Sequence, residues 1–337
     1  MTEILLLIFS LLIILLSAEF FTNGVECLGR RLSLSQAVVG SILAAVGTAL
    51  PETILPLVAI LMHGGDAGKS IGVGAILGAP FMLSTLAFFL VGLTVLISFM
   101  RKKRVLEITV EPEALRRDLA FFIVMYASAI FLPLFVRSGR VFIALALVAG
   151  YMFYAYMTFR SESGDIMHAE ELYFRRIFNR LRSGRAGGTG LTLITVQVVC
   201  ALALMIGGAH TFVGGLEVLS RAWGMDPMLF ALLIAPVATE LPEKFNSVSW
   251  TLKGRDTLAM GNITGAMVFQ STFPVSVGLL LTDWEMSRLA VLSAILALMS
   301  AVVLLTELEV RNRVSPASLL LGGAFYGVYA VVIILTR

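Results

Sequence analysis

The chain has 337 residues, of which 58% are hydrophobic and only 14% are charged, with a formal net charge of +3 and a mean hydropathy of +0.93. A soluble domain carries roughly 25% charged residues, so this composition excludes an ordinary soluble protein. The apolar residues form long blocks, and a block of about 20 residues crosses a bilayer as a helix. We therefore predict an all-α membrane protein.

Ten candidate transmembrane helices follow one another along the chain. They cover residues 1–21, 34–62, 71–100, 119–136, 141–159, 191–212, 228–252, 258–281, 289–305 and 319–335. The first block begins with MTE, which contains Glu3 and no Lys or Arg, whereas a signal peptide begins with positive charge. We expect it to stay as a membrane helix. Cys27 and Cys200 are too few for a disulfide framework or a metal cluster.

The basic residues are distributed unevenly between the loops. Eighteen Lys and Arg residues lie in the loops after the odd-numbered spans, six lie on the opposite side, and Lys244 lies inside a span. Basic loops stay in the cytoplasm, so both termini are expected outside. The positive net charge is then an orientation signal, and we expect no nucleic-acid partner.

The longest polar stretch, residues 160–190, divides the chain into two halves. It contains YFRRIFNRLRSGRAGGTG, which mixes aromatic residues with arginine before a glycine-rich end. We predict a solvated cytoplasmic connector whose basic helix can touch anionic lipid; a regulatory docking site is the alternative. The predicted repeats are residues 1–159 and 191–337, each with five helices.

The two halves share sequence motifs. VGTALPET (46–53) parallels VATELPEK (237–244), and IGVGAILGAPFMLST (71–85) parallels LAMGNITGAMVFQST (258–272). Because five spans are an odd number, the second half enters the membrane from the opposite side. This predicts two inverted five-helix repeats, an arrangement typical of secondary transporters.

The repeated motif places oxygen atoms where a membrane makes them costly. Pro51 and Pro242 remove the helical hydrogen bonds to the carbonyls of Gly47 and Ala238. A carboxylate at a helix centre costs about 2.5–3.5 kcal/mol on insertion scales. Carbonyl, hydroxyl and carboxylate oxygens are ligands of hard cations. The predicted midplane cation ligands are Thr48, Glu52, Thr239 and Glu243 with those two carbonyls; packed, protonated glutamates in two kinked helices are the alternative.

These motifs resemble the alpha repeats of the calcium:cation antiporter superfamily, which includes the sodium/calcium exchangers. The matching segments are GTALPE at 47–52, ATELPE at 238–243 and GNITG at 261–265. The resemblance implies outward termini, a cytoplasmic loop between spans five and six, and exchange of Ca²⁺ for Na⁺, or for H⁺ in some branches. It also implies that Asn262 belongs to the site.

The sequence departs from the family pattern at several ligand positions. Ala75 replaces the first-repeat asparagine, and Ala49, Ala79, Leu83 and Ala266 lack the oxygen atoms that sodium/calcium exchangers carry there. Most ligands are therefore expected from the second half, where Gln270 supplies an amide. Glu240 adds a carboxylate that either joins the pocket or faces a vestibule. Lys244 is expected to be ion-paired or snorkelling, or else to lower the pocket charge.

We predict a secondary active antiporter that exchanges Ca²⁺, or a similar divalent cation, for Na⁺ by alternating access. The predicted metal-binding residues are Glu52, Glu243, Thr48, Thr239, Gly47, Ala238, Glu240, Asn262 and Gln270. A proton-coupled cation exchanger is the alternative, because neighbouring carboxylates favour a proton on one of them; a non-transporting cation-binding homologue is a further one. No P-loop is present, so we expect no ATP-driven step, no enzyme activity and no cofactor. We expect a multi-pass protein of the plasma (inner) membrane whose partners are the transported cations and lipid.

Overall fold

The computed structural model describes residues 2–31, 44–136, 139–161, 172–174 and 191–336. Within these ranges the regular structure is helical, and the β-pairing consists of one antiparallel bridge between Ile108 and Val314. The all-α prediction is therefore confirmed for the described part of the chain.

Thirteen α-helices are described. In the first half they are α1 (Thr2–Arg31), α2 (Ala44–Val58), α3 (Gly65–Met82), α4 (Phe88–Met100), α5 (Pro112–Phe135) and α6 (Arg140–Ser161). In the second half they are α7 (Leu191–Ala222), α8 (Pro227–Thr239), α9 (Leu241–Leu252), α10 (Asp256–Gln270), α11 (Phe273–Leu281), α12 (Arg288–Arg311) and α13 (Pro316–Leu335). Two π-helical turns, Ala59–His63 and Leu83–Ala87, extend α2 and join α3 to α4.

Eight described helical segments are long and apolar enough to cross a membrane. They are Thr2–Leu28, Gly65–Met100, Pro112–Phe135, Arg140–Thr158, Leu191–Ala222, Asp256–Leu281, Arg288–Arg311 and Pro316–Leu335. The two predicted spans that carry the motifs contain shorter apolar helices, Ala49–His63 and Pro227–Val237. The first begins next to residues outside the described ranges, and the second precedes a break in the helix. The chain is thus a multi-pass integral membrane protein.

Several helices begin earlier than the hydropathy blocks predicted. Helix α5 begins at Pro112, with Glu113 in its first turn, rather than at residue 119. Proline at the first helical position and an acidic residue in the first turn both favour helix initiation. Helix boundaries that are predicted from apolar residues alone therefore miss first turns made of polar residues.

The main core has the continuous segment α3–α4 on one side. Helices α5, α10, α12 and α13 lie on the other. Its largest fully buried side chains include Phe81, Phe88, Phe122, Tyr126 and Tyr329. Helices α1 and α7 instead lie side by side, and a side chain at Gly24 would come within 2.8 Å of Val198. Small residues allow such close helix pairing in membranes.

Two contacts join loops that the charge count places on the same side. Arg104, after the third predicted span, binds Asp256, after the seventh, with 2.5 Å between Nη2 and Oδ2. Lys69, after the second predicted span, lies 3.6 Å from Asp283, after the eighth. Both contacts agree with the grouping of loops that the charge count assumed.

One segment of the connector, Leu172–Phe174, is docked on the bundle, and we call it the linker clip. Leu172 is buried against the start of α7, the backbone N–H of Tyr173 donates to Oδ1 of Asn23 (3.0 Å), and that of Phe174 donates to Oε1 of Gln197 (2.8 Å). Gln197 also donates to Asn23 (3.0 Å). Leu172 thus departs from the predicted solvated connector, whereas Tyr173 and Phe174 are partly exposed. The predicted basic helix lies outside the described residues.

Candidate cation site

The first motif lies within α2, which continues through Pro51 and Pro56. The Glu52 side chain is 6% exposed, and its Oε1 has no hydrogen-bond partner among the described residues. The predicted ligands Gly47 and Thr48 are in the same helix, but the Thr48 side chain lies outside what the structure describes. Helix α2 thus brings a buried carboxylate with a free oxygen into the bundle.

The second motif is split between two helices. Helix α8 ends at Thr239, α9 begins at Leu241, and Glu240 between them has φ −97° and ψ 8°. A proline has no N–H to continue the helical ladder, so Pro242 cannot bond the carbonyl of Ala238. The predicted span 228–252 therefore consists of two shorter helices, α8 and α9. Thr239 donates its hydroxyl to the carbonyl of Ala235 (3.2 Å), which leaves its oxygen lone pairs available.

Lys244 forms a buried ion pair at this break. Its Nζ lies 3.2 Å from Oε2 of Glu240, and the side chains are 7% and 0% exposed. The same ammonium donates to the carbonyl of Pro236 (3.3 Å). Among the alternatives considered for Lys244, the structure has the ion-paired one, and Glu240 is turned into the protein rather than towards a vestibule.

Both motifs bury charged side chains. Glu52 in the first motif and Glu240, Glu243 and Lys244 in the second are buried, and α2, which carries the first motif, contacts α8, which leads into the second. Glu243 is 7% exposed, and its Oε2 lacks a hydrogen-bond partner in the described part of the chain. Three ionised glutamates and one ammonium would leave a charge of −2, which one divalent cation neutralises. A buried carboxylate without such compensation is costly.

Carboxylates alone do not complete the site. Within the described ranges, no three His, Cys, Asp or Glu side chains are arranged to hold a metal ion. A cation at Glu52 and Glu243 would therefore also need hydroxyl, amide or carbonyl oxygens. Such mixed oxygen sets are the usual ligands of Ca²⁺.

Helix α10 contributes two amides. Asn262 donates from Nδ2 to the carbonyl of Glu243 (3.3 Å) and to Oγ of Ser247 (3.2 Å), so it ties α10 to α9. Gln270 is 1% exposed, and neither of its polar atoms has a partner in the described chain. A buried amide without a partner is unusual, and its carbonyl oxygen is suited to a cation.

The first half offers fewer oxygens. Ala79 and Leu83 are buried and have no polar side-chain atom. The neighbouring hydroxyls of Ser84 and Thr85 donate to the helix backbone, at 2.8 Å to Pro80 and 2.5 Å to Phe81. These two hydroxyls are therefore already hydrogen-bonded, and the expectation that most ligands come from the second half stays a prediction.

Helix α3 packs closely on α8, the helix that leads into the break at Glu240. A side chain at Gly74 would come within 2.1 Å of the carbonyl oxygen of Met228, and one at Gly78 within 2.2 Å of that of Leu232. These two glycines therefore allow the backbones of α3 and α8 to approach closely, as small residues do between membrane helices.

Sequence reasoning missed two buried acids: Asp256, which binds Arg104, and Asp118 of α5, which is 4% exposed. For Asp118 the signal was present, because a charged residue among apolar ones in a membrane helix is costly and is usually functional. It was missed because residue 118 directly precedes the predicted start of that span.

The Glu240–Lys244 pair provides a stability test. We expect Lys244→Met to lower the free energy of unfolding by about 3–5 kcal/mol, because it leaves a buried carboxylate without its partner. The double variant Glu240→Gln/Lys244→Met is expected to lose much less. Thermal unfolding of the purified protein in detergent measures both. Equal losses in the single and double variants would contradict a buried ion pair.

These features define a class of protein: an all-helical, multi-pass membrane protein that buries carboxylates on two motif-bearing helices, as ion transporters do. The model of the family described as "Sodium/calcium exchanger protein" matches residues 2–160 and 193–336, and the chain belongs to this family. Its members are cation exchangers and not enzymes, so the expected class, a membrane cation antiporter, is confirmed.

Relatives and solved structures agree with this assignment. The chain is 25% identical to the putative antiporter CaxA of Alkalimonas amylolytica over 338 residues, which cover 94% of each chain. It is 25% identical to the inner membrane protein YrbG of Escherichia coli (strain K12) over 290 residues, 85% of this chain and 82% of that protein.

Two solved structures share the fold. The H⁺/Ca²⁺ exchanger CAX superposes with a TM-score of 0.71 at 18% identity, covering 98% of this chain and 82% of that one. A structure of the sodium-calcium exchanger NCX_Mj superposes with a TM-score of 0.57 at 16% identity, covering 99% and 98%.

Proposed function

We propose that this antiporter exchanges Ca²⁺, or a similar divalent cation, for Na⁺ at one site that faces the two sides of the membrane in turn. The observation that carries the proposal is that Glu52, from the first motif, and Glu243, from the second, are both buried, and each keeps a carboxylate oxygen without a hydrogen-bond partner among the described residues. Their burial makes an empty, fully ionised site unfavourable. Two cations that compete for the same oxygen atoms would then have their transport coupled without ATP.

The proposed ligand set extends beyond the glutamates. Glu52 and Glu243 bind the cation directly, and Gln270 and Asn262 supply amide oxygens from α10. Thr48, Thr239 and the carbonyls of Gly47 and Ala238 complete the shell, and Glu240 adds negative charge that Lys244 partly balances. Support comes from the unpartnered oxygens of Glu52, Glu243 and Gln270 among the described residues.

The proposal includes the membrane architecture. Ten spans form two inverted five-helix repeats, residues 1–159 and 191–337, joined by a cytoplasmic connector at 160–190 with both termini outside. Two observations support it: the loop contacts Arg104–Asp256 and Lys69–Asp283, and the uneven distribution of Lys and Arg between the loops. The proposed location is the plasma (inner) membrane, where the basic connector meets anionic lipid.

A proton-coupled exchanger is the second candidate, and the buried Ala79 and Leu83 favour it. These side chains offer no oxygen for separate Na⁺ sites. Protons need no such sites, because each binds to a single carboxylate oxygen. The three neighbouring glutamates would then supply the proton-binding groups.

One experiment separates the candidates. The purified protein is reconstituted into liposomes loaded with radiolabelled Ca²⁺, and efflux is measured under an imposed gradient of Na⁺, K⁺ or H⁺. We expect Na⁺ to drive efflux. Efflux driven only by H⁺ would establish the second candidate, and Ca²⁺ binding without flux under any gradient would indicate a non-transporting homologue.

A further inference from the structure

Asp118 is held by donors from three helices. Its Oδ1 accepts from the hydroxyl of Tyr154 in α6 (3.0 Å) and from Nη2 of Arg117 in α5 (3.2 Å). Its Oδ2 accepts from the hydroxyl of Thr264 in α10 (2.8 Å). The Arg117 guanidinium also lies over the Tyr154 ring, 5.6 Å from its centre. The carboxylate is thus a junction between two first-half helices and the second-half helix that carries the amides.

The Thr264 hydroxyl has one hydrogen and two acceptors within reach. Besides Asp118, the carbonyl of Met260 in its own helix lies 3.0 Å away. A hydroxyl donates only once, and hydrogen bonds to an ionised acceptor are roughly twice as strong as neutral ones. An ionised Asp118 therefore takes the hydrogen and binds α10 to α5.

Helix α10 is consequently fixed from two faces. Asn262 and Thr264 are two residues apart, which places them on nearly opposite sides of a helix with 3.6 residues per turn. Asn262 bonds α9 at the backbone of Glu243, and Thr264 bonds α5 at Asp118. Release of the Asp118 contact would free α10 to shift relative to Glu243.

We infer that Asp118 is a positioning residue of the cation site: through Thr264 it holds α10, and with it Asn262 and Gln270, at the distance from Glu243 that cation binding requires. Asp118 does not itself touch the cation. This inference rests on the proposed function, because it assumes that the cation is bound between α9 and α10.

The test compares two variants that each remove one hydroxyl from the same carboxylate. Thr264→Val breaks the bond to α10, whereas Tyr154→Phe breaks the bond to α6 and serves as the matched control. We expect Thr264→Val to raise the KM for Ca²⁺ in liposome flux roughly tenfold, with the maximal rate changed less than twofold. Tyr154→Phe should leave KM unchanged even though it loses thermal stability. Thr264→Ser keeps the hydroxyl and should restore KM.

The Kd for Ca²⁺, measured by calorimetry on the purified protein in detergent, gives a readout independent of transport. A rise in Kd for Thr264→Val alone supports the inference even if the wild-type protein shows no flux, which would defeat only the exchange proposal. Unchanged KM and Kd in Thr264→Val, or equal rises in both variants, would reduce Asp118 to a structural role. A wild-type protein that neither binds nor transports Ca²⁺ would overturn both proposals.

Discussion

Replacement of Glu243 by glutamine should abolish Ca²⁺ exchange while the protein still folds. Glu243→Gln keeps the size of a side chain that is 7% exposed but removes the charge that a divalent cation needs from the second motif. We expect initial rates of Ca²⁺ efflux from proteoliposomes to fall about a hundredfold or more, equivalent to about 3 kcal/mol or more in the transport barrier.

The matched control for this variant is Glu309→Gln. Glu309 pairs with Arg116 at 2.7 Å, but its side chain is 53% exposed, and exposed ion pairs contribute little. Its flux should equal that of the wild-type protein. Both variants are checked for a single size-exclusion peak. Normal flux in Glu243→Gln would remove the central residue of the proposed site.

A single added methyl group at Gly78 should push α3 away from α8. In Gly78→Ala the new Cβ would lie 2.2 Å from the carbonyl oxygen of Leu232 and 2.6 Å from Cγ of Pro236. Helix α3 would have to move away from α8, which leads into the break at Glu240. Overpacking of this kind costs about 1–3 kcal/mol, so we expect a lower unfolding temperature in detergent and little remaining flux.

Gly207→Ala makes the same substitution in α7, where no described atom lies within 4 Å of the new Cβ. This control should keep its unfolding temperature and its flux. If Gly78→Ala behaved like Gly207→Ala, the close contact between α3 and α8 would not hold the site together.

Much of the architecture followed from composition and periodicity. Long apolar blocks can satisfy their backbone hydrogen bonds in lipid only as helices, so there were few alternatives to the all-α prediction. The two TxLPE motifs were also sufficient to indicate two related carboxylates. The structure buries both Glu52 and Glu243, although cation binding itself stays a prediction.

The details that were not predictable depend on contacts between distant residues. Pro51 lies inside a helix, whereas Pro242 lies in the first turn of a new one. The same residue in the same motif is therefore compatible with both outcomes. The outcome depends on contacts with neighbouring helices. Asp118 has its partners at Tyr154 and Thr264, far along the chain, and no local pattern connects them. Helix periodicity describes one element at a time, so it cannot reveal such junctions.

The linker clip contacts both halves of the chain, so it can help to hold them together. Leu172–Phe174 precedes residues 175–190 but bonds to Asn23 of α1 and Gln197 of α7. A proteolytic cut within 175–190 would leave the clip covalently attached to the first half and still hydrogen-bonded to the second. The two halves would then stay together as a nicked complex, held by the clip in addition to the packing of α1 on α7 and of α3 on α8.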